Sequence, residues 1–271
     1  MAATFDMPAI VGDPGFPAFP IAQGLGLLLA AALLRQRLLR LDPEGGAARA
    51  RSVTIAMMAG SVLGGALLGV ALRLPRAVLH RVDLFAPGWP MAYGALAGAA
   101  IATALAARVT GAAPRAALDA LAPALGVLVA VGRLGCFLAG CCFGAPSDGP
   151  LAVAFPRGTP AHAEHVRLGV IDAGAPWSHP VHAAPLHEAL VGVAMIGAGL
   201  ALARSSRRGA AFAAVALLYA AGRFAVELLR GDPRPAAGPL TLPQWLSLAV
   251  VSLVAFWWAR TDASSREGAQ G

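Results

Sequence analysis

The chain has 271 residues, of which 58% are hydrophobic and only 13% are charged, and its mean hydropathy is +0.67. About a quarter of the residues of a soluble domain are charged, so this composition excludes an ordinary soluble protein and predicts an integral membrane protein. All 21 basic residues are arginine, and the net charge is +7. These arginines lie between apolar runs and form no basic stripe with interleaved aromatic residues, which argues against a nucleic-acid partner.

Seven apolar stretches are long enough to cross a bilayer core of ~30 Å, which takes about 20 helical residues. The sequence therefore predicts an all-α fold, a polytopic membrane helical bundle with about seven transmembrane helices in a single integral membrane domain over residues 1–271. The longest loop, 141–183, contains Pro and Gly throughout, which argues against a long helix there. The predicted spans lie at about 21–39, 53–72, 90–107, 117–140, 184–203, 211–229 and 241–259.

The arginines are distributed unequally between the two sides of the predicted bundle. If the N-terminus lies outside, the cytoplasmic loops, span ends and C-terminal tail hold twelve arginines, and the external segments hold seven. Cytoplasmic loops of membrane proteins are enriched in basic residues. The sequence therefore predicts an external N-terminus, a cytoplasmic C-terminus and an external loop at 141–183.

An arginine interrupts the fourth predicted span, in the segment VGRLGCFLAGCCFG at 131–144. A charge inside a span costs a few kcal/mol, so Arg133 is expected to mark a functional site. The alternative is an arginine that snorkels from a helix end. On a continuous helix, Arg133, Cys136, Gly140 and Gly144 would share one side, and the glycines would let a ligand approach the backbone.

The sixth predicted span carries a polar stripe of Tyr219, Arg223, Glu227 and Arg230, spaced by four, four and three residues. Arg223 and Glu227 could simply neutralise each other. However, Glu227 is the only acid of the stripe and cannot balance Arg223, Arg230 and Arg133 together. We therefore expect the arginines to bind an anionic group in the membrane, for which the planar guanidinium favours phosphate.

All three cysteines, Cys136, Cys141 and Cys142, lie within seven residues, and histidines follow in the loop. This raises the hypothesis of a metal site. However, structural zinc sites usually contain cysteines separated by two to four residues and a second pair of ligands. Vicinal cysteines also fit one tetrahedral ion poorly. The spacing therefore predicts neither a metal site nor a disulfide, and apolar packing is the commoner role of such cysteines.

Four segments, in the same order and spacing, resemble signatures of the prolipoprotein diacylglyceryl transferase family. The first, GRLGCFLAGCCFG at 132–144, is similar to a Gly-Arg-(Leu/Ile)-Gly-Asn-Phe run that ends in Trp-Gly. HAAPLHE at 182–188 resembles His-Pro-Ser-Gln-Leu-Tyr-Glu, and YAAGRFAVELLR at 219–230 resembles the family's sixth span. QWLS at 244–247 resembles its Gln-x-Leu-Ser element, so the resemblance covers about residues 18–260.

The family's enzymes lie in the bacterial inner membrane and transfer a diacylglyceryl group from phosphatidylglycerol to the lipobox cysteine thiol of a prolipoprotein, releasing glycerol phosphate. The resemblance therefore implies phosphatidylglycerol, a prolipoprotein signal peptide with its lipobox cysteine and membrane lipids as partners, and no cofactor. It implies that the phosphate-binding arginine is Arg133 and that the second functional arginine is Arg223. The expected catalytic residues are Arg133, Arg223, Tyr93 and Glu227, and the expected phospholipid-binding residues are Arg133, Arg223, Arg230 and Gly144.

The sequence departs from the family pattern at five positions, several of them nearer the thiol chemistry than the lipid phosphate. Tyr93 replaces a histidine, Cys136 an asparagine, Cys141 an acidic residue, Gln23 a tyrosine and Ala66 an arginine. Three alternatives therefore stay open beside the family activity. They are a paralogue that passes an anionic phospholipid's group to a different acceptor, a non-catalytic lipid-binding or transport membrane protein, and a protein that handles thiols or metals.

Overall fold

The computed structural model describes residues 17–42, 46–80, 91–205, 207–232 and 236–267. Helices dominate these ranges, and the strands are only two residues long. In chain order the elements are α1 (Ala18–Leu41), α2 (Gly46–His80), α3 (Met91–Val109), α4 (Pro114–Leu138), β1 (Ala152–Val153), α5 (Pro160–Arg167), β2 (Val181–His182), α6 (Ala184–Ala201) with a 3₁₀ turn (Leu202–Arg204), α7 (Ala210–Glu227), β3 (Ala236–Ala237), β4 (Leu240–Thr241) and α8 (Leu242–Glu267).

Within the described ranges, seven helices are long and apolar enough to cross a membrane, which confirms the predicted all-α, seven-span fold. Large apolar side chains such as Leu28, Leu67 and Ile101 are exposed on these helices, as expected of surfaces that face lipid. The predicted start of the third span at residue 90 lies outside the described residues. The seven segments are Ala18–Leu41, Gly46–Leu74, Ala92–Val109, Pro114–Leu138, Ala184–Arg204, Ala210–Glu227 and Leu242–Arg260.

The chain divides into two compact units. The first comprises Met1–Gly26, Leu128–Ala194 and Ala216–Gly271, and the second comprises Leu27–Val127 and Met195–Val215. That residues 1–271 form a single membrane domain stays a prediction.

In the second unit, α2 and α3 pack through glycines spaced four residues apart. Gly60 and Gly64 of α2 lie against Gly98 and Gly94 of α3, so closely that a Cβ atom on Gly98 would clash with the carbonyl oxygen of Gly60. A Cβ atom on Gly94 would likewise clash with the carbonyl oxygen of Gly64. Small residues at this spacing let the backbones of membrane helices approach closely.

In the first unit, the long loop after α4 folds around a small apolar core of its own. Phe143, Phe155, Ala161 and Val181 are buried together. β1 and β2 pair antiparallel across this core, with Ala152 opposite His182. α5 begins after Thr159, whose side-chain oxygen accepts a hydrogen bond from the His162 N–H at 3.3 Å. The loop therefore contains only a short helix, as its Pro and Gly residues predicted.

Candidate active site

The C-terminal end of α4 sets the geometry of the site. Gly140 adopts a φ of +63°, its N–H donates to the carbonyl oxygen of Phe137 at 3.0 Å, and the Cys141 N–H donates to that of Cys136 at 3.1 Å. This pair of hydrogen bonds is a Schellman cap, in which glycine supplies the left-handed residue. The chain therefore turns back after Leu138, and the predicted helix to residue 140 ends two residues early.

Because α4 ends there, Gly140 and Gly144 do not continue its face, and the prediction that they share a helix side with Arg133 is wrong. Gly144 instead lies between two other segments of the first unit. Its N–H donates to the His182 carbonyl at 2.9 Å, and a Cβ atom on it would lie 2.7 Å from the carbonyl oxygen of Leu229. This crowding explains why residue 144 is glycine, whereas its expected role in phospholipid binding stays a prediction.

The two arginines implied by the family resemblance meet at one carboxylate. Nη2 of Arg133, on α4, lies 2.7 Å from Oε1 of Glu188, on α6. Nε of Arg223, on α7, lies 3.5 Å from the same oxygen. The Glu188 side chain is completely buried, and that of Arg223 is 3% exposed. Three helices of the first unit therefore bring both cations to a single buried point.

Two further ion pairs continue this cluster. Nη1 of Arg223 lies 2.5 Å from Oε2 of Glu227 one turn further along α7, and both side chains are buried. Just after that helix, Arg230 makes two parallel hydrogen bonds to Asp232, from Nε to Oδ1 at 2.8 Å and from Nη2 to Oδ2 at 2.7 Å. The Arg230 side chain is almost fully buried as well.

These contacts correct the charge argument made from the sequence. Glu227 alone was expected to face Arg133, Arg223 and Arg230, which left an anionic ligand to supply the remaining charge. The structure adds Glu188 and Asp232, so that three guanidinium groups meet three carboxylates. Charge balance alone therefore no longer requires an anionic ligand.

Glu188 is the site residue that the sequence analysis missed. It is the last residue of HAAPLHE and lies in the first turns of an apolar helix, where an unpaired acid would be as costly as Arg133 is in α4. That position was a usable signal. Its partners, however, lie 55 residues before it and 35 residues after it, so the chain spacing gave no indication of the pairing.

Part of the Arg133 guanidinium is not engaged by carboxylate. Nη2 pairs with Glu188, whereas Nη1 lies 3.9 Å from Sγ of Cys136 and 3.8 Å from Sγ of Cys142. Thiols are weak hydrogen-bond acceptors. An oxyanion can compete with these two contacts, since charged hydrogen bonds to oxygen are shorter and stronger.

Two groups near this cluster have shifted pKa values, Cys142 after the cap of α4 and Asp232 after α7. Hydrogen bonds from the Cys136 and Cys141 thiols, together with the nearby Arg230 and Arg133, lower the pKa of Cys142 well below its ordinary value. Burial raises the pKa of Asp232 to about 6, against the opposing effect of Arg230. Cys142 also has a φ of +63°, which is rare for a residue other than glycine and is often found at functional sites.

The remaining predicted site residues occupy different places. Tyr219 is buried on α7, one turn before Arg223. Tyr93 is buried on α3 and belongs to the second unit, so its expected catalytic role stays a prediction. Gln23 of α1 lies beside Gly132, the residue before Arg133, because a Cβ atom there would be 2.7 Å from Gln23 Oε1.

The loop histidines make structural contacts. Nε2 of His162 lies 2.8 Å from the carbonyl oxygen of Ala175, and Nδ1 of His165 accepts the His179 N–H at 3.1 Å. Within the described residues, none of them joins the cysteines in a group of ligand atoms. The hypothesis of a combined cysteine–histidine metal site therefore finds no support in this part of the chain.

The fold and the site define a class: a multi-pass membrane protein with buried ion pairs between arginines and carboxylates of its membrane helices. Comparison with known proteins makes the assignment specific. The profile of the prolipoprotein diacylglyceryl transferase family matches residues 16–260, and the chain belongs to this family. It is thus an enzyme of a transferase family, and its seven spans fit a multi-pass protein of the bacterial inner membrane.

Three relatives of the chain are named as enzymes of this kind. The chain is 28% identical to the phosphatidylglycerol–prolipoprotein diacylglyceryl transferase of Clostridium tetani over 208 residues, which is 76% of this chain and 78% of the relative. It is 27% identical to transferase 2 of Clostridium perfringens, over 74% of each chain. A shorter match to the enzyme of Rhodopirellula baltica is 46% identical over 52 residues, 19% of this chain and 11% of the relative.

Proposed function

We propose that the protein transfers the diacylglyceryl group of phosphatidylglycerol to the lipobox cysteine thiol of a prolipoprotein and releases glycerol phosphate. The observation that carries this proposal is the convergence of Arg133 and Arg223 on one buried oxygen of Glu188, with Arg133 Nη1 beside the sulfurs of Cys136 and Cys142. This arrangement fixes two guanidinium groups in a dry site and keeps donors of one available for a phosphodiester oxygen.

In the proposed reaction, the prolipoprotein thiol attacks the glyceryl carbon that carries the phosphate. A carbon–sulfur bond forms, the carbon–oxygen bond to phosphate breaks, and the thiol proton leaves to a base before or during attack. The leaving group changes from a phosphodiester to a phosphomonoester, so negative charge develops on the phosphate oxygens. Arg133 and Arg223 stabilise that charge, and because carboxylates already hold them in place, little reorganisation is needed.

The other predicted site residues have supporting roles in this proposal. Glu227 holds Arg223 from the adjacent turn of α7, and Arg230 contributes to binding of the phospholipid headgroup. Tyr93 acts in the catalytic step in place of the family's histidine. Gly144 permits the close packing on which the headgroup site depends.

The proposed orientation places this chemistry at the outer side of the membrane. With the N-terminus outside and the C-terminus cytoplasmic, loop 141–183 and the C-terminal end of α4 lie on the side where a secreted precursor presents its lipobox. The arginine asymmetry of twelve against seven supports this orientation.

The experiment that tests the function uses purified protein in nanodiscs that contain phosphatidylglycerol. A lipobox peptide with cysteine should become a thioether-linked diacylglyceryl product, with one glycerol phosphate released per peptide modified. The matched control is the same peptide with serine in place of cysteine, which should give neither product. Release of glycerol phosphate without peptide modification would instead favour a paralogue with a different acceptor, and no turnover with either peptide would contradict the proposal.

A further inference from the structure

The three thiols of the chain lie together, although their sequence spacing predicted neither a metal site nor a disulfide. The Sγ atoms of Cys136, Cys141 and Cys142 all lie within 4.8 Å of one another, and the cysteines are free. The Schellman cap explains the first contact, because it places the residue after its glycine beside the residue five positions earlier, here Cys141 beside Cys136. The left-handed backbone of Cys142 then turns the third sulfur toward the other two.

The separations match a three-coordinate thiolate site. A metal–sulfur bond of about 2.3 Å in a trigonal plane puts the sulfur atoms about 4 Å apart, which is within the range seen here. Among the described residues, no histidine, carboxylate or fourth cysteine belongs to this group. Zinc prefers four tetrahedral ligands, whereas soft thiolate ligands select Cu(I).

Two guanidinium groups lie beside the sulfurs and offset part of the negative charge of a thiolate cluster. Three thiolates around a monovalent ion carry two negative charges, and those around a divalent ion carry one. Arg133 Nη1 lies 3.9 Å and 3.8 Å from two of the sulfurs. Arg230 is held next to this segment because Gly144 pairs with it and the Gly231 N–H donates to the Phe143 carbonyl at 3.3 Å. Glu188 and Asp232 already pair with these two guanidinium groups, so the arginines offset only part of the thiolate charge, and the choice of ion rests on its softness and coordination number.

The cluster is dry on one side and open on the other. Cys136 is only 4% exposed, while Cys141 and Cys142 are half-buried. An ion can therefore enter past the two loop cysteines and be held by the helix cysteine. We propose that Cys136, Cys141 and Cys142 form a trigonal site for the soft monovalent ion Cu(I). This revises the expectation that these cysteines bind no metal, and it goes beyond the proposed transferase function.

The test is an anaerobic Cu(I) titration of the purified protein in nanodiscs, against bicinchoninate as a coloured competitor. The protein should take up one equivalent, and each of Cys136→Ser, Cys141→Ser and Cys142→Ser should weaken binding by about tenfold or more. The matched control is Met195→Leu, which removes a sulfur from the second unit with little change of volume and should bind copper normally. Sulfur coordination can be counted by X-ray absorption at the copper edge.

Alkylation of the unaltered protein gives a readout that does not depend on the variants inserting into the membrane. Because the chain has only three cysteines, the mass of the protein after N-ethylmaleimide treatment gives the number of thiols in the cluster that have reacted. One equivalent of Cu(I) should protect all three thiols together. The proposal is overturned if copper uptake does not exceed that of the triple serine variant, if fewer than three thiols are protected, or if zinc binds in preference to Cu(I).

Discussion

Glu188 joins the two predicted site arginines, because its Oε1 atom lies close to both Arg133 and Arg223. A buried charge that loses its partner is strongly destabilising, since neither water nor another ion replaces the lost interaction. Glu188 therefore determines both the position of the cations and the cost of keeping them inside the membrane helices.

Replacing Glu188 with glutamine should preserve its size while removing the shared charge. We expect Glu188→Gln to lower phosphatidylglycerol turnover about a hundredfold and to destabilise the protein, because breaking a buried pair costs about 3 kcal/mol or more. The control is Glu164→Gln, which removes the carboxylate that pairs with the exposed Arg167. Exposed pairs contribute little, so this variant should behave normally. Equal behaviour of the two variants in turnover and thermal unfolding would contradict the role given to Glu188.

At the residue scale, the sequence predicted the cations better than their partners. Arg133 and Arg223 could be found from the cost of a charge in an apolar run. Glu188 was missed because its partners lie on other helices, and such pairing cannot be seen in the local spacing. Asp232 was missed although it lies only two residues after Arg230, because it follows the polar stripe of the sixth span and was not counted with it. The functional roles of all the predicted site residues, Tyr93 and Gly144 among them, stay predictions.

At the scale of elements, the Schellman cap of α4 positions residues of the site, because its backbone geometry places Cys141 beside Cys136. A glycine two residues after a helical run is a frequent helix-stop signal. Applied to Gly140, that signal would have predicted the end of α4 and the contact between Cys136 and Cys141.

The helix spans were easier to predict, because the thickness of the bilayer requires a run of about 20 apolar residues in each. The extension of α2 to His80 was not expected, since it passes Arg73, Pro75 and Arg76.

Loop 141–183 should lose stability as the pH falls through the range in which histidine titrates. Burial, together with His179, lowers the pKa of His165, whose Nδ1 accepts the His179 N–H. Because the unfolded loop takes up this proton more readily, the stabilisation is present above about pH 6.5 and is lost below it. The thermal unfolding midpoint should therefore fall between pH 7 and pH 5.5. His165→Asn keeps an acceptor without titrating and should reduce this fall, and an unchanged pH profile would contradict the assignment.

The packing of α2 on α3 gives a prediction that does not depend on the active site. Gly98→Ala places a methyl group against the carbonyl oxygen of Gly60, so we expect a loss of about 1–3 kcal/mol in stability. Gly197 of α6 has no atom near its Cβ position, and Gly197→Ala should be neutral or slightly stabilising. Thermal unfolding in detergent compares the two. The packing account does not hold if Gly98→Ala is as stable as Gly197→Ala.

At the scale of the whole molecule, composition and the count of apolar runs predicted the membrane class and the seven spans, because the bilayer imposes the same length on each. Orientation rests on a weaker signal, the arginine asymmetry. A C-terminal alkaline phosphatase fusion should be inactive, because that enzyme needs the oxidising exterior to form its disulfides. A fusion within loop 141–183 should be active. The reverse pattern would place the proposed site on the cytoplasmic side and contradict the orientation.

The central claim is that Arg133 and Arg223 together bind the phosphate of phosphatidylglycerol. The most direct measurement is the turnover and binding of this lipid by Arg133→Ala and Arg223→Ala, with the exposed Arg167→Ala as the matched control. Each active-site variant should still insert but lose about a hundredfold in turnover, which corresponds to about 3 kcal/mol. Arg133→Lys should restore only part of it, because a point charge lacks the two directed donors. Normal phosphatidylglycerol binding and turnover in both alanine variants would contradict the shared phosphate site.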